Sequence, residues 1–198
     1  MKLIGLTGGI ASGKSTVAGI LRRLGAAIVN ADELSREVVQ PDQECWKEIV
    51  DSFGAEVLQA DRTIDRQKLR KIIFDNPAAR QKLEAIIHPR VRALAEQRIC
   101  EHGAAGYEIV VYEVPLLFEG NLHHWLRPVV LVASDVATQK KRLQERDHLT
   151  ELEAAKHIAA QMSLEEKRRL ADYVIENDGS LEDLELRVRA VLEEIKAT

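Results

Sequence analysis

The stretch Gly8-Gly9-Ile10-Ala11-Ser12-Gly13-Lys14-Ser15-Thr16 combines glycines, a lysine and hydroxyls at spacings suited to gripping a chain of phosphates. Residues 8 to 15 follow the phosphate-loop pattern of Gly, four residues, then Gly-Lys-Ser. A strand-like run, Lys2 to Thr7, precedes the loop, and a helical pattern, Thr16 to Leu24, follows it. Gly8 and Gly13 admit backbone conformations closed to residues with a Cβ, so several N–H groups can face one anion. The helix that follows adds unpaired N–H groups and the positive end of its dipole. Lys14 is expected against the β- and γ-phosphates of a nucleoside triphosphate, Ser15 as a magnesium ligand and Thr16 near the α-phosphate. Gly9, Ala11, Ser12 and Gly13 complete the expected nucleotide contacts. The alternative, a glycine-rich turn that binds nothing, is disfavoured by the match and its context.

Three further groups have types that could act beside such a loop. Asp32 stands just past the short apolar strand Ala26 to Val29, at the end of a strand where ligands bind in open α/β sheets. It can orient a hydroxyl and take its proton late, or cap the helical stretch from Glu33 to Val39. Glu113 comes late in the strand Glu108 to Val114, where it could hold magnesium through water or be an ordinary strand-end carboxylate. Arg142 and Arg146 lie one helical turn apart in the charged run 139 to 148. There they could close over phosphates from a mobile lid or simply cover a solvated helix face.

The elements that must position these groups are legible in outline. Strands are expected at 2 to 7, 26 to 29, 108 to 114, 128 to 133 and 173 to 175, interleaved with helices, which argues for a parallel five-stranded sheet flanked by helices. Between the second and third strands lies a helical insertion of some seventy residues. Helices are expected there at Asp42 to Phe53, Asp65 to Phe74, from Asn76-Pro77, and again after His88-Pro89. Thr150-Glu151-Leu152-Glu153 and Ser163-Leu164-Glu165-Glu166 are capping boxes that open two helices of a charged segment. An amphipathic pattern from Ser180 to Thr198 closes the chain.

A chain of 198 residues, 45% hydrophobic and 30% charged, fits one globular domain with insertions. Its 28 Lys and Arg against 32 Asp and Glu leave a net charge of −4, which gives no overall attraction to nucleic acid or an anionic membrane. Cys45 and Cys100 form no metal or disulfide spacing, and no apolar run reaches the ~18 residues of a membrane span. A reduced, cytoplasmic protein is expected, either monomeric or weakly self-associating. The Asn-Lys-x-Asp signature of guanine readers is absent. Asp51-Ser52-Phe53-Gly54 matches a switch pattern only at the end of an amphipathic helix, the wrong context for it.

Taken together, Leu6-Thr7-Gly8-Gly9-Ile10, the phosphate loop, Asn30-Ala31-Asp32, His88-Pro89, Val114-Pro115-Leu116-Leu117-Phe118-Glu119, Gln161 and Ala171 to Gly179 resemble dephospho-CoA kinases over almost the whole chain. The resemblance implies transfer of the ATP γ-phosphate to the ribose 3′-hydroxyl of dephospho-CoA, giving CoA and ADP. It implies Asp32, Lys14 and Arg142 as the catalytic set, with Arg142 the closer match to the family's lid arginine. Asn177 and Gly179 would lie near the adenine, and Thr7, His88, Pro115 and Leu116 on the acceptor side. His88 could equally cap the helix before it. The implied layout is a nucleotide-binding core (1–39, 107–138, 171–198), a helical acceptor-binding insertion (40–106) and a lid (139–170). One departure stands out, because Asn30 replaces the first Asp of the family's Asp-Ala-Asp. The rival readings are another small-molecule or nucleoside-monophosphate kinase on the same scaffold, and a regulator that binds ATP without transferring phosphate.

Overall fold

The protein is described by a computed structural model covering residues 1–74 and 76–198. By its internal contacts the chain divides into two compact units. One comprises Met1–Val29 with Ile99–Thr198, and the other Asn30–Arg98.

The first unit is built on a five-stranded parallel sheet: β1 (Lys2–Gly8), β2 (Ala27–Asn30), β3 (Ile109–Glu113), β4 (Val129–Ala133) and β5 (Tyr173–Glu176), in the order β2-β3-β1-β4-β5. Leu6 lies beside Glu113 on one neighbour and Val130 on the other, so the carboxyl ends of the central strands meet at one edge. The strands read as apolar runs because both faces are covered. Ile4, Leu6, Val111, Val130 and Val132 enter one core with α1 (Lys14–Arg23) and α9 (Leu181–Ala197), which contribute Val17, Ile20, Val188 and Leu192. On the opposite face Gly5 leaves room for the fully buried Leu117 and Leu126. A Cβ there would stand 2.9 Å from the Leu117 side chain. Between β4 and β5 run α6 (Val136–Asp147), α7 (Glu151–Ala159) and α8 (Leu164–Leu170). Thr150 and Ser163 form complete capping boxes at the starts of α7 and α8.

The second unit contains α2 (Ala31–Glu37), α3 (Glu44–Phe53), α4 (Arg66–Phe74) and most of α5 (Pro77–Ala104). Its own core gathers Trp46, Ile49, Val57, Leu69, Leu83 and Ile86. The sequence predicts two helices separated at His88-Pro89, whereas α5 runs unbroken for 28 residues with Pro89 inside it. Proline removes one helical hydrogen bond and crowds the preceding turn. Here the Ile86 carbonyl in that turn accepts from Arg90 Nη1 at 2.9 Å and faces Cys45 Sγ at 3.9 Å. His88 therefore sits within a helix and caps nothing.

Candidate active site

The phosphate loop leaves β1 and enters α1 at the carboxyl edge of the sheet. Gly13 is the N-cap residue, in the left-handed region at φ +89°, and offers no side-chain cap. A Cβ at that position would fall 2.0 Å from Asn177 Nδ2, so the backbone conformation and the neighbour both demand glycine. Thr16 and Val17 donate back to the Gly13 carbonyl, while the N–H groups of Lys14 and Ser15 have no acceptor among the described residues. Those two donors and the helix dipole make the loop an anion cradle. The Ser12 hydroxyl is also buried without a partner among those residues.

Lys14, largely buried, is paired with Glu113, which ends β3 and is only 3% exposed. The base of the cradle therefore holds a cation and an acid in contact. Arg142 reaches the loop from α6: its Nη2 donates to the Asn177 carbonyl at 2.9 Å, and Nη1 lies 3.4 Å from the carbonyls of Ala11 and Ser12. Arg146, one turn on, is engaged by the carboxylate of Asp147 at 2.9 and 2.7 Å. Of the two arginines, Arg142 is the one placed against the loop.

Asn177 does more than its expected place near a base suggests. Its Nδ2 donates to the Ser12 carbonyl at 2.7 Å, its N–H donates to the Ala133 carbonyl at 2.8 Å, and the residue is buried, so it braces the loop from β5. Asp178 beside it accepts from Ser134 Oγ at 2.6 Å, and Gly179 follows at the turn into α9. Gln161 closes the other flank, its Oε1 accepting the Ile10 N–H at 2.9 Å. Gln139 is buried beside Gly9, where a Cβ would fall 2.5 Å from its amide nitrogen.

Thr7 is fully buried and donates its hydroxyl to the Pro115 carbonyl at 3.1 Å, tying β1 to the segment after β3. Leu116 projects from that segment and is 49% exposed. At the segment's end Glu119 lies 2.9 Å from the ammonium of Lys167 and accepts the Met162 N–H at 3.0 Å, linking it to the α7–α8 connection. Lys167 is 1% exposed, and its part is invisible in the run Glu165 to Arg169, which reads as a solvated face.

Asp32 and His88 belong to the second unit. Asn30 is the N-cap of α2, its Oδ1 accepting from Asp32 N at 2.8 Å and Glu33 N at 3.1 Å. The capping role considered for Asp32 thus falls to Asn30, and the Asp32 carboxylate is exposed with no partner among the described residues. His88 is exposed in the middle of α5. No group of three His, Cys, Asp or Glu among the described residues forms a metal cluster. Magnesium does not need one, since it commonly takes one or two protein oxygens together with phosphate oxygens and water. The Ser15 hydroxyl and the Glu113 carboxylate fit that donor set.

Comparison with known proteins agrees with the geometry. The sequence model of the dephospho-CoA kinase family matches residues 2–183. The dephospho-CoA kinase of Shouchella clausii is 48% identical over 91% of this chain and 91% of its own length. That of Geobacter sulfurreducens is 46% identical over 96% of this chain and 97% of its own. Among solved structures, the dephospho-CoA kinase from Campylobacter jejuni superposes with a TM-score of 0.74 at 29% identity, over 98% of each chain.

Proposed function

Since the chain belongs to the dephospho-CoA kinase family and is an ATP-dependent phosphotransferase, we propose that it works through Lys14, Arg142 and Asp32. The acceptor is the ribose 3′-hydroxyl of dephospho-CoA, and the products are CoA and ADP. Phosphoryl transfer passes through a loose transition state, so the protein's work is positioning and the neutralisation of charge. The unpaired N–H groups at the start of α1 hold the β-phosphate, and Lys14 turns from Glu113 to the β- and γ-oxygens. Magnesium, held by Ser15 with Glu113 nearby, would neutralise the phosphates further when bound.

Arg142 adds a guanidinium beside the loop, and Asn177 keeps the loop's carbonyls turned away from the anion. Residues 139–170 act as the lid and 40–106 as the acceptor-binding insertion. Thr7, Pro115 and Leu116 shape the acceptor side, and His88 offers an imidazole there. A ribose hydroxyl is far less acidic than a carboxylic acid of pKa about 4, so Asp32 does not deprotonate it in advance. It orients the hydroxyl and accepts the proton as the bond to phosphorus forms. The observation that carries this role is the free, exposed carboxylate of Asp32, released from capping by Asn30 and placed two residues beyond the carboxyl end of β2.

ADP release in magnesium-ATP, measured with dephospho-CoA, phosphorylated pantetheines and nucleoside monophosphates as acceptors, tests the reading. Acceleration by dephospho-CoA is expected. Acceleration by a nucleoside monophosphate alone, or by no acceptor, would overturn it.

A further inference from the structure

The second unit contains a pocket of about 220 Å³ that the phosphate loop and its partners do not use. Its walls come from every helix of the unit: Val39 just past α2, Ile49 on α3, Leu69 and Ile73 on α4, and Leu83 and Ile87 on α5. Ser35, Arg66 and Arg70 are its polar members. Arg66 and Arg70 lie one turn apart on one face of α4, both exposed, and neither has a hydrogen-bond or ion-pair partner among the described residues. The adjacent acid, Asp65, is already committed to the N–H groups of Gln67 and Lys68, each at 3.0 Å. A mere packing gap in an apolar core calls for no paired cations. Two unpartnered guanidiniums at an apolar pocket complement a ligand that joins a multiply charged anion to a branched, uncharged stem.

Asp32 lies close to this pocket along the same helix. Ser35 is one turn from it on α2, and the Ser35 hydroxyl donates to the Asp32 carbonyl at 2.8 Å. One turn is a rise of about 5 Å. The acceptor's chemistry has the same layout, since the ribose that carries the reacting 3′-hydroxyl also carries the 5′-diphosphate, and the diphosphate leads to the gem-dimethyl carbon of the pantoyl group. Small-molecule pockets usually measure about 300–1,000 Å³, so this one suits part of such a ligand.

We propose that this pocket is the subsite for the diphosphate and pantoyl stem of dephospho-CoA, with Arg66 and Arg70 holding the diphosphate and the apolar wall holding the branched carbon. The assignment rests on dephospho-CoA being the acceptor. It also gives a reason for choosing that acceptor over adenosine, which has neither group.

Titration calorimetry on the full chain tests it without turnover. R66Q and R70Q should each weaken dephospho-CoA binding about tenfold, and R66Q/R70Q about a hundredfold, while ATP binding and the melting temperature stay unchanged. The probe 4′-phosphopantetheine has the stem and a phosphate but no adenosine. It should displace dephospho-CoA from the unaltered chain, fail to displace ATP, and lose its binding in R66Q/R70Q. Wild-type affinity for dephospho-CoA in the double variant, or failure of 4′-phosphopantetheine to compete, would overturn the subsite. Turnover by the unaltered chain is read separately. If dephospho-CoA is not phosphorylated at all, the functional reading fails. If it is phosphorylated and the double variant binds it normally, the subsite alone fails.

Discussion

Glu119→Gln isolates one charge. In the folded protein the Lys167 ammonium is 1% exposed and 2.9 Å from Glu119 Oε1, yet it makes no hydrogen bond of good geometry, so its compensation is electrostatic. At that separation the attraction is about 6 kcal/mol for an effective dielectric constant near 20. Glu119 is 24% exposed, and the glutamine amide keeps an oxygen for the Met162 N–H, so about half of that should be lost. A cost of roughly 3 kcal/mol agrees with what removing one partner of a buried pair usually costs. For a chain of this length it corresponds to a fall in Tm of about 6–12 °C. Lys167→Met should cost a comparable amount, because it leaves the Glu119 carboxylate, whose Oε2 is buried without a hydrogen-bond partner, with no cation beside it. Lys167→Met in the Glu119→Gln background should restore most of the loss. Thermal melting of the four proteins at one pH and ionic strength is the assay. A fall below about 2 °C for Glu119→Gln, or no recovery of Tm in the double variant, would refute the reasoning.

Lys14→Met should lower kcat at least about a hundredfold and also lower Tm, because it removes the cation paired with the buried Glu113 carboxylate; adding Glu113→Gln should recover part of the Tm but not activity, as steady-state kinetics and melting will show. Asp32→Asn should reduce kcat by about 10²–10⁴ with ATP affinity and Tm unchanged, whereas Asn30→Ala should cost about 1 kcal/mol of stability by removing the α2 cap; parallel kinetics and melting distinguish chemistry from capping. Stability should fall with acid. The Thr138 N–H and the hydroxyls of Thr150, Ser163 and Ser180 hold the carboxyls of Asp135, Glu153, Glu166 and Asp183 below their usual range. Their contributions are complete above the unfolded values near 4 and vanish as pH drops through the lower folded values. Burial, followed by His124 and Arg127, lowers the pKa of His123, so its contribution starts to fade below about 6.5. A Tm that stays flat from pH 7 to 3 would contradict both statements.

The sheet was legible because its strands are buried on both faces and therefore read as unbroken apolar runs, and the loop because its glycines, lysine and serine keep fixed offsets. The capping boxes at Thr150 and Ser163 were equally plain, since a cap is a local bargain between residues three apart. The continuity of α5 through Pro89 was not. It accompanies burial of Leu83 and Ile86 on α5 in a core with Cys45, Trp46 and Ile49, which lie far away in sequence. Lys167 and Asn177 were hidden for the same reason, because a polar residue in a charged run or a turn becomes structural only when a distant group buries it.

The phosphate loop shows where such distant groups matter most. A loop of small residues with a left-handed turn at Gly13 has little side-chain packing of its own to hold a shape. Its carbonyls are fixed from outside: Ser12 by the Asn177 amide and Arg142, and Ala11 by Arg142. On the other flank the Ile10 N–H is held by Gln161. The carbonyls held by Arg142 and Asn177 are kept from reorienting, and the N–H groups of Lys14 and Ser15 are left without an acceptor among the described residues at the start of α1. Preorganisation of that kind removes reorganisation cost from the transition state, which is where electrostatic catalysis gains most. Arg142 therefore fixes the loop, and the proposed mechanism gives it a second task, to add positive charge beside the phosphates; both require the short reach from α6 that places it against the loop.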